Sequence, residues 1–433
     1  MEPGGVPLGE AFRFWLKLGF ISFGGPAGQI AIMHQELVER RRWISERRFL
    51  HALNYCMLLP GPEATQLATY IGWMMHRTWG GIVAGGLFVL PSLFILIALS
   101  YLYMAYGGVP AVAGLLYGIK PAVVAIVLAA AWRIGSRALK HPALWAISIA
   151  AFVAIYFLEV PFPAIVVAAG LIGALGGRFA PRVFAVGGHA GSATTYGAAL
   201  IDDHTPVPAH ARYALRTLLT YTISGLLIWA AAILALAAAF GWHGMYTQMG
   251  WFFTKAALLT FGGAYAVLPY VYQATVEHYQ WLSGTQMIDG LALGETTPGP
   301  LIMVVAFVGF VGAWQGGLSD SVFLAGAAGA TVATFFTFLP SFLFILIGGP
   351  LVESTHGDLK FTAPLTGVTA AVVGVVVSLA AFFAEHVFFP EGIDWIAAAA
   401  AALALVALTR YKVGLIPVIL ASGAAGMIYT FWR

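Results

Sequence analysis

The stretch from Leu16 to Pro62 occurs twice in this chain, and no other feature restricts the possible folds as much. The first copy carries Lys17, Phe23-Gly24-Gly25, Gln35, Glu39, Trp43-Ile44-Ser45 and Pro60-Gly61-Pro62. The second, 238 positions on throughout, carries Lys255, Phe261-Gly262-Gly263, Gln273, Glu277, Trp281-Leu282-Ser283 and Pro298-Gly299-Pro300. A gapless match that joins unusual Gly and Pro pairs to the same charged and aromatic residues marks an internal duplication. Later landmarks continue it: Leu90-Pro91-Ser92 returns as Leu339-Pro340-Ser341, and Gly118 with Val123-Val124 as Gly367 with Val372-Val373, now 249 positions apart. An insertion of about eleven residues ahead of the third segment accounts for the change.

Apolar residues make up 60% of the chain and charged residues 9%, against about 25% charged in a soluble domain. The fold class is therefore an all-α polytopic membrane protein. Helix breakers and polar clusters divide it into segments near 10–38, 47–76, 80–105, 112–133, 142–158, 161–177 and 213–240, then 249–276, 286–313, 320–348, 363–384, 393–409 and 413–431. Six segments, one extra helix and six more give a first repeat over 1–177, a linker with its connecting transmembrane helix over 178–248, and a second repeat over 249–433. An even-numbered unit followed by a single crossing sets the second copy into the membrane upside down, a plan common among secondary transporters. Arg40, Arg41, Arg42, Arg47 and Arg48 lie between segments one and two, while the equivalent loop from Glu277 to Met287 has no Lys or Arg. Positive charge stays on the cytoplasmic side, so the two loops are expected to face opposite ways.

Full crossing of all thirteen segments would put the five-arginine loop opposite most other basic residues. Re-entrant hairpins with Gly24-Gly25-Pro26 and Pro60-Gly61-Pro62 at their tips bring nearly all of them to one side, leaving nine full crossings. The same counting predicts a cytoplasmic N-terminus and an outward C-terminus. Met1 to Glu10 lacks the basic region that precedes a cleavable signal. With one cysteine, Cys56, the chain alone builds no disulfide framework. The linker holds His189, Asp202, Asp203, His204 and His210 without ligand pairs at helical spacing, which reads as a solvated loop rather than a metal site.

Broken helices at membrane depth are tolerated only where protein or a water-filled cavity satisfies the exposed backbone, so the breaks are expected to line a site. The helices restarting near Ala27 to Gln29 and Glu63 to Gln66 turn free N–H groups and a positive dipole end toward it, an arrangement suited to anions. Pro26, Pro62 and Pro300 suit helix starts; Ala264 stands opposite Pro26 in the second copy. Lys17 and Lys255, each six residues before its break, are candidate anion ligands, or lysines snorkelling to the interface. Lys120 is a secondary candidate, its repeat position being Thr369. Glu63, beside the first Pro-Gly-Pro, and Glu295, three residues before the second, break the symmetry and are candidates for proton coupling. For Glu63 the alternative is a charge favoured by the helix dipole, and for Glu295 a partner for a nearby lysine. Asp289 lies closer to the rim. Thr65, Gln66, Thr296 and Thr297 could donate to an oxyanion or satisfy the broken backbone. No HExxH, paired-cysteine or phosphate-loop pattern is present, so neither catalysis nor a metal or organic cofactor is expected, and nothing points to nucleic acid.

These residues also resemble a known family. Phe23-Gly24-Gly25-Pro26, the Trp43 region, Leu59-Pro60-Gly61-Pro62 and their second-half counterparts are similar to the repeated signature of the chromate ion transporters, over nearly the whole chain apart from the linker. The resemblance implies a long, two-domain bacterial inner-membrane protein with inverted halves that expels chromate using the proton motive force and confers chromate resistance. Partners on that reading are chromate or sulfate-like oxyanions, protons and the lipid bilayer, with a homodimer left open. A sulfate or other oxyanion importer or exchanger would use the same parts.

Overall fold

The computed structural model describes residues 5–432 apart from 24, 185–195, 207, 262, 355–361 and 391. Its described residues are helical, with one isolated β-bridge. Two pairs of short helices come first. Leu8–Ile21 (α1) and Gly25–His34 (α2) flank the Phe-Gly-Gly break, and Glu46–Cys56 (α3) and the start of Glu63–Tyr106 (α4) flank Pro60-Gly61-Pro62. Helix α4 bends at His76 and Arg77, where φ of Arg77 is 56°, and then runs on as a long apolar rod. Pro110–Ala138 (α5), Pro142–Tyr156 (α6), Phe162–Phe179 (α7), the single turn Pro181–Phe184 (α8) and Leu215–Phe240 (α9) follow. The second half repeats the order with Met245–Leu258 (α10), Ala264–Tyr272 (α11), Gly284–Thr296 (α12), Val304–Gln315 (α13), Val322–Ser354 (α14), Thr362–Phe388 (α15), Trp395–Thr409 (α16) and Leu415–Trp432 (α17).

Among the described residues seven helices, α4, α5, α7, α9, α14, α15 and α17, are long and apolar enough to span a bilayer. The chain is a multi-pass membrane protein. The paired short helices are not long enough: the 14 residues of α1 extend about 21 Å at 1.5 Å per residue, against a hydrocarbon core of about 30 Å.

The duplicated sequence produces duplicated local geometry. A π-helical turn ends α2 at Gln35–Arg40 and α11 at Gln273–His278. The chain then leaves the helix through a residue of positive φ, Arg42 at 55° and Gln280 at 53°. The next tryptophan in each copy bonds back to the turn, Trp43 N–H to Leu37 O and Trp281 N–H to Thr275 O, both at 2.8 Å. Ser45 and Ser283 then cap α3 and α12 by accepting the backbone N–H three residues on, which satisfies one of the donors a helix start leaves open.

The two halves are interlaced. Helix α5 packs on α16 and α17, and its counterpart α15 packs on α6 and α7. Glycines permit the close approach: a Cβ on Gly118 of α5 would lie 2.8 Å from Gly426 Cα of α17, and a Cβ on Gly367 of α15 would lie 2.9 Å from Gly173 Cα of α7. Small residues that let backbones meet are the usual means of helix association in lipid, where apolar burial alone gives little. Helix α9 sits at the periphery, with Leu226, Leu227 and Leu234 exposed.

The linker holds to the first half more closely than its composition predicts. Leu200 N–H donates to Arg42 O at 2.9 Å, Ile201 N–H to Trp43 O at 3.0 Å and Ser45 N–H to Ile201 O at 3.0 Å, so it borrows backbone groups left unpaired between α2 and α3. Arg48 donates to Thr205 O at 2.5 Å and Ser45 Oγ to Asp203 at 2.6 Å. His210 contacts Trp73 O at 2.9 Å. The amides of Ala199 and Asp203 donate to the Asp202 carboxylate and hold it below the usual carboxylate range. No three-ligand metal cluster occurs among the described residues; His189 lies outside them.

Candidate functional site

The breaks meet in crossed pairs. Gly61 N–H of the first Pro-Gly-Pro donates to Thr260 O at 2.7 Å, and Gly299 N–H of the second donates to Ser22 O at 2.7 Å. Thr260 and Ser22 are equivalent positions in the two copies, so each Pro-Gly-Pro break is bonded to the Phe-Gly-Gly break of the other half. The turn is possible because Gly61 and Gly299 adopt φ of 124° and 103°, which side chains on L-residues resist. A second crossed contact lies alongside: Gly61 abuts the side chain of Ser341 on α14, and Gly299 abuts Ser92 on α4.

Around this crossing the polar groups are buried and incompletely bonded. Gln66 Nε2 donates to Pro60 O at 2.8 Å, and Gln29 Nε2 donates to Gly299 O and, at 3.5 Å, to Ser22 O. Their amide oxygens, and the hydroxyls of Ser22, Thr65, Ser92 and Ser341, find no hydrogen-bond partner among the described residues. Each of these six side chains is at most 1% exposed. In α4 the first bond of the helical ladder runs from Gln66 N–H to Pro62 O, so the amides of residues 63–65 are the donors a helix start leaves open. Pro62 is the N-cap itself, one position ahead of the first turn.

The sequence-predicted residues divide by position. Pro60, Gly61, Pro62, Gln66, Pro298, Gly299 and Pro300 are at the crossing. Gly25 and Gly263 have φ of 72° and 97°, and Gly25 and Pro26 open α2; Gly24 and Gly262 lie outside the described residues. Thr296 and Thr297 bond Leu293 O at 2.8 and 2.5 Å, satisfying the end of α12. Glu295 is buried and accepts from Tyr265 Oη. Glu63 is half-buried at the head of α4 and makes no ion pair among the described residues. Lys17 is exposed, and Lys255 is half-buried on α10. Neither has an acidic partner within ion-pair distance among the described residues.

Lys120 pairs with the carboxylate that the sequence places near the rim. Its Nζ is 3.6 Å from Asp289 Oδ2, which also accepts from Tyr103 Oη at 3.0 Å, and Asp289 is only 3% exposed. The repeat offers no warning, since Lys120 and Asp289 correspond to Thr369 and His51. Sequence reasoning also passes over Ser22, Gln29, Tyr265 and the pair Ser92 and Ser341. The pair did carry a signal: a hydroxyl repeated at the centre of two apolar segments.

Residues 9–174 and 247–427 each match the chromate transporter family, and the two matches begin 238 positions apart. The chain belongs to the chromate transporter family. Among chromate transporter relatives, a chromate transport protein of Pseudomonas aeruginosa is 33% identical over 97% of this chain and 92% of its own length. The chromate transport protein of Cupriavidus metallidurans is 30% identical over 85% of this chain and 80% of its own length. A probable chromate transport protein of Synechococcus elongatus is 28% identical over 85% and 82%. No solved structure matches the chain. Family membership supports a role in chromate transport.

Proposed function

We propose that this protein is a secondary transporter that moves chromate, a tetrahedral dianion, out of the cytoplasm in exchange for protons. Residues 1–177 and 249–433 act as two inverted repeats that rock about their shared crossing, and 178–248 connects them. The observation that carries this reading is the crossed bonding of Gly61 to Thr260 and Gly299 to Ser22. Reciprocal contacts between equivalent residues are what a two-fold relation generates, and a site on that relation can open to either face as the halves tilt. The open amides at the start of α4 and the buried hydroxyls supply donors for an oxyanion. Lys17 and Lys255 draw the anion toward the crossing, and Glu63 and Glu295 carry protons. The family resemblance implies insertion in the inner membrane, and the arginines between α2 and α3 support a cytoplasmic N-terminus.

Inside-out vesicles with an imposed pH gradient test the proposal. Wild type is expected to accumulate chromate, to lose accumulation when the gradient is collapsed and to be inhibited by excess sulfate. Changing both Lys17 and Lys255 to Gln is expected to lower uptake more than tenfold at unchanged protein level; full retention would remove the lysines from the transport path. Glu63→Gln and Glu295→Gln are each expected to uncouple uptake from the gradient, and a gradient response retained by both would exclude these carboxylates as carriers.

A further inference from the structure

We infer that Ser92 and Ser341 are a matched pair of specificity-determining contacts, whose hydroxyls donate to the oxygens of a tetrahedral oxyanion. The inference rests on the transport reading above and narrows its site to residues from both halves at once.

The first ground is how hydroxyls behave elsewhere in this molecule. A Ser or Thr inside a helix ordinarily turns its hydroxyl back to a carbonyl of the preceding turn. Thr69, Thr254, Thr275, Thr331, Thr337 and Thr369 all do so, at 2.7 to 2.8 Å. Ser92 and Ser341, in the middle of α4 and α14, leave that bond unmade and are each 1% exposed. A buried hydroxyl without a partner costs about 1–3 kcal/mol. Ser100 and Thr334 also lack partners, but neither abuts a break.

The second ground is placement. A Cβ on Gly299 would lie 2.8 Å from Ser92 Cβ and 3.2 Å from its Oγ, and a Cβ on Gly61 would lie 3.5 Å from Ser341 Cβ. Each serine therefore stands against the Pro-Gly-Pro turn of the opposite half, with the unpartnered Ser22 and Thr65 on the first-half helices at the same crossing. Pro91 and Pro340 precede the two serines. A proline in a helix removes one ladder bond, so each serine follows a position where its helix lacks one backbone hydrogen bond.

The chemistry that fits is a small anion with acceptor oxygens in several directions. Neutral hydroxyls and the open amides at the start of α4 are the donors at this crossing, so these contacts break no ion pair on release. Hydrogen bonds to a charged acceptor are worth more than neutral ones, so losing one hydroxyl is expected to weaken binding by about tenfold.

The test uses full-length protein in detergent, with equilibrium binding of radiolabelled sulfate and competition by chromate. Ser92→Ala and Ser341→Ala are each expected to bind about tenfold more weakly and the double variant about a hundredfold. Without anion, their melting temperatures are expected to equal or exceed that of wild type, because an unpaired buried hydroxyl has been removed. A serine with a purely structural role would give the reverse, lower melting temperature with binding intact, and that outcome overturns the inference while leaving the transport proposal standing. Wild type that binds neither sulfate nor chromate overturns both.

Discussion

Asp289→Asn is expected to destabilise the protein by about 3 kcal/mol, the lower end for a buried pair, because it leaves the half-buried Lys120 ammonium without its carboxylate. Lys120→Met should cost a similar amount by stranding Asp289, whose Oδ1 already lacks a hydrogen-bond partner among the described residues. The double variant should recover most of the loss, since removing both charges abolishes the desolvation cost together with the attraction. Tyr103 Oη keeps an acceptor in that variant, because the amide that replaces the carboxylate at position 289 retains one oxygen. Thermal melting of the two single variants and the double variant in detergent measures the coupling. Simple addition of the two single losses would mean that the 3.6 Å approach of Lys120 to Asp289 contributes nothing.

The second large effect is expected at the crossing. Gly61→Ala and Gly299→Ala each force an L-residue to φ above 100° and drive a methyl group against Ser341 or Ser92. The backbone strain alone is worth about 1–2 kcal/mol, and in a packed core the overlap adds about 1–3 kcal/mol more. Transport is expected to fall more than tenfold in both variants, because the turns that bring the halves together are displaced. Gly25→Ala is the internal comparison: φ is also positive, at 72°, but nothing lies within 4 Å of the added carbon, so the strain appears without the collision. Equal losses of transport in Gly25→Ala and Gly61→Ala, measured in vesicles at matched protein levels, would show that the contact with Ser341 has no consequence.

Much of the fold was readable in the sequence because duplication copies backbone geometry along with residues. The 238-residue spacing located the breaks, and it carries through to the two π-turns and to the positive φ of Arg42 and Gln280. What the spacing could not supply was contact between positions that differ in the two copies. Lys120 and Asp289 have Thr369 and His51 as counterparts, so their pairing is invisible to any comparison of the halves. Ser92 and Ser341 were visible as landmarks, yet a serine in an apolar segment reads first as a small residue for helix packing. Lys17 shows a different limit. In a membrane protein both the lipid face and the core are apolar, so the pattern around Lys17 could not choose between an anion ligand and the snorkelling lysine, and the side chain is exposed on α1. The linker's composition gave no sign that Leu200 and Ile201 would pair with the connection between α2 and α3.

The reciprocal packing of α5 against α17 and α15 against α7 governs the order in which the chain can mature. When a ribosome has released the first half, the backbone groove at Gly118 still lacks its cover, because α17 follows only after the whole of the second repeat's other helices. The N-terminal half is thus expected to remain protease-sensitive until α17 has been made, and a chain stopped before Leu415 to resemble that unfinished state.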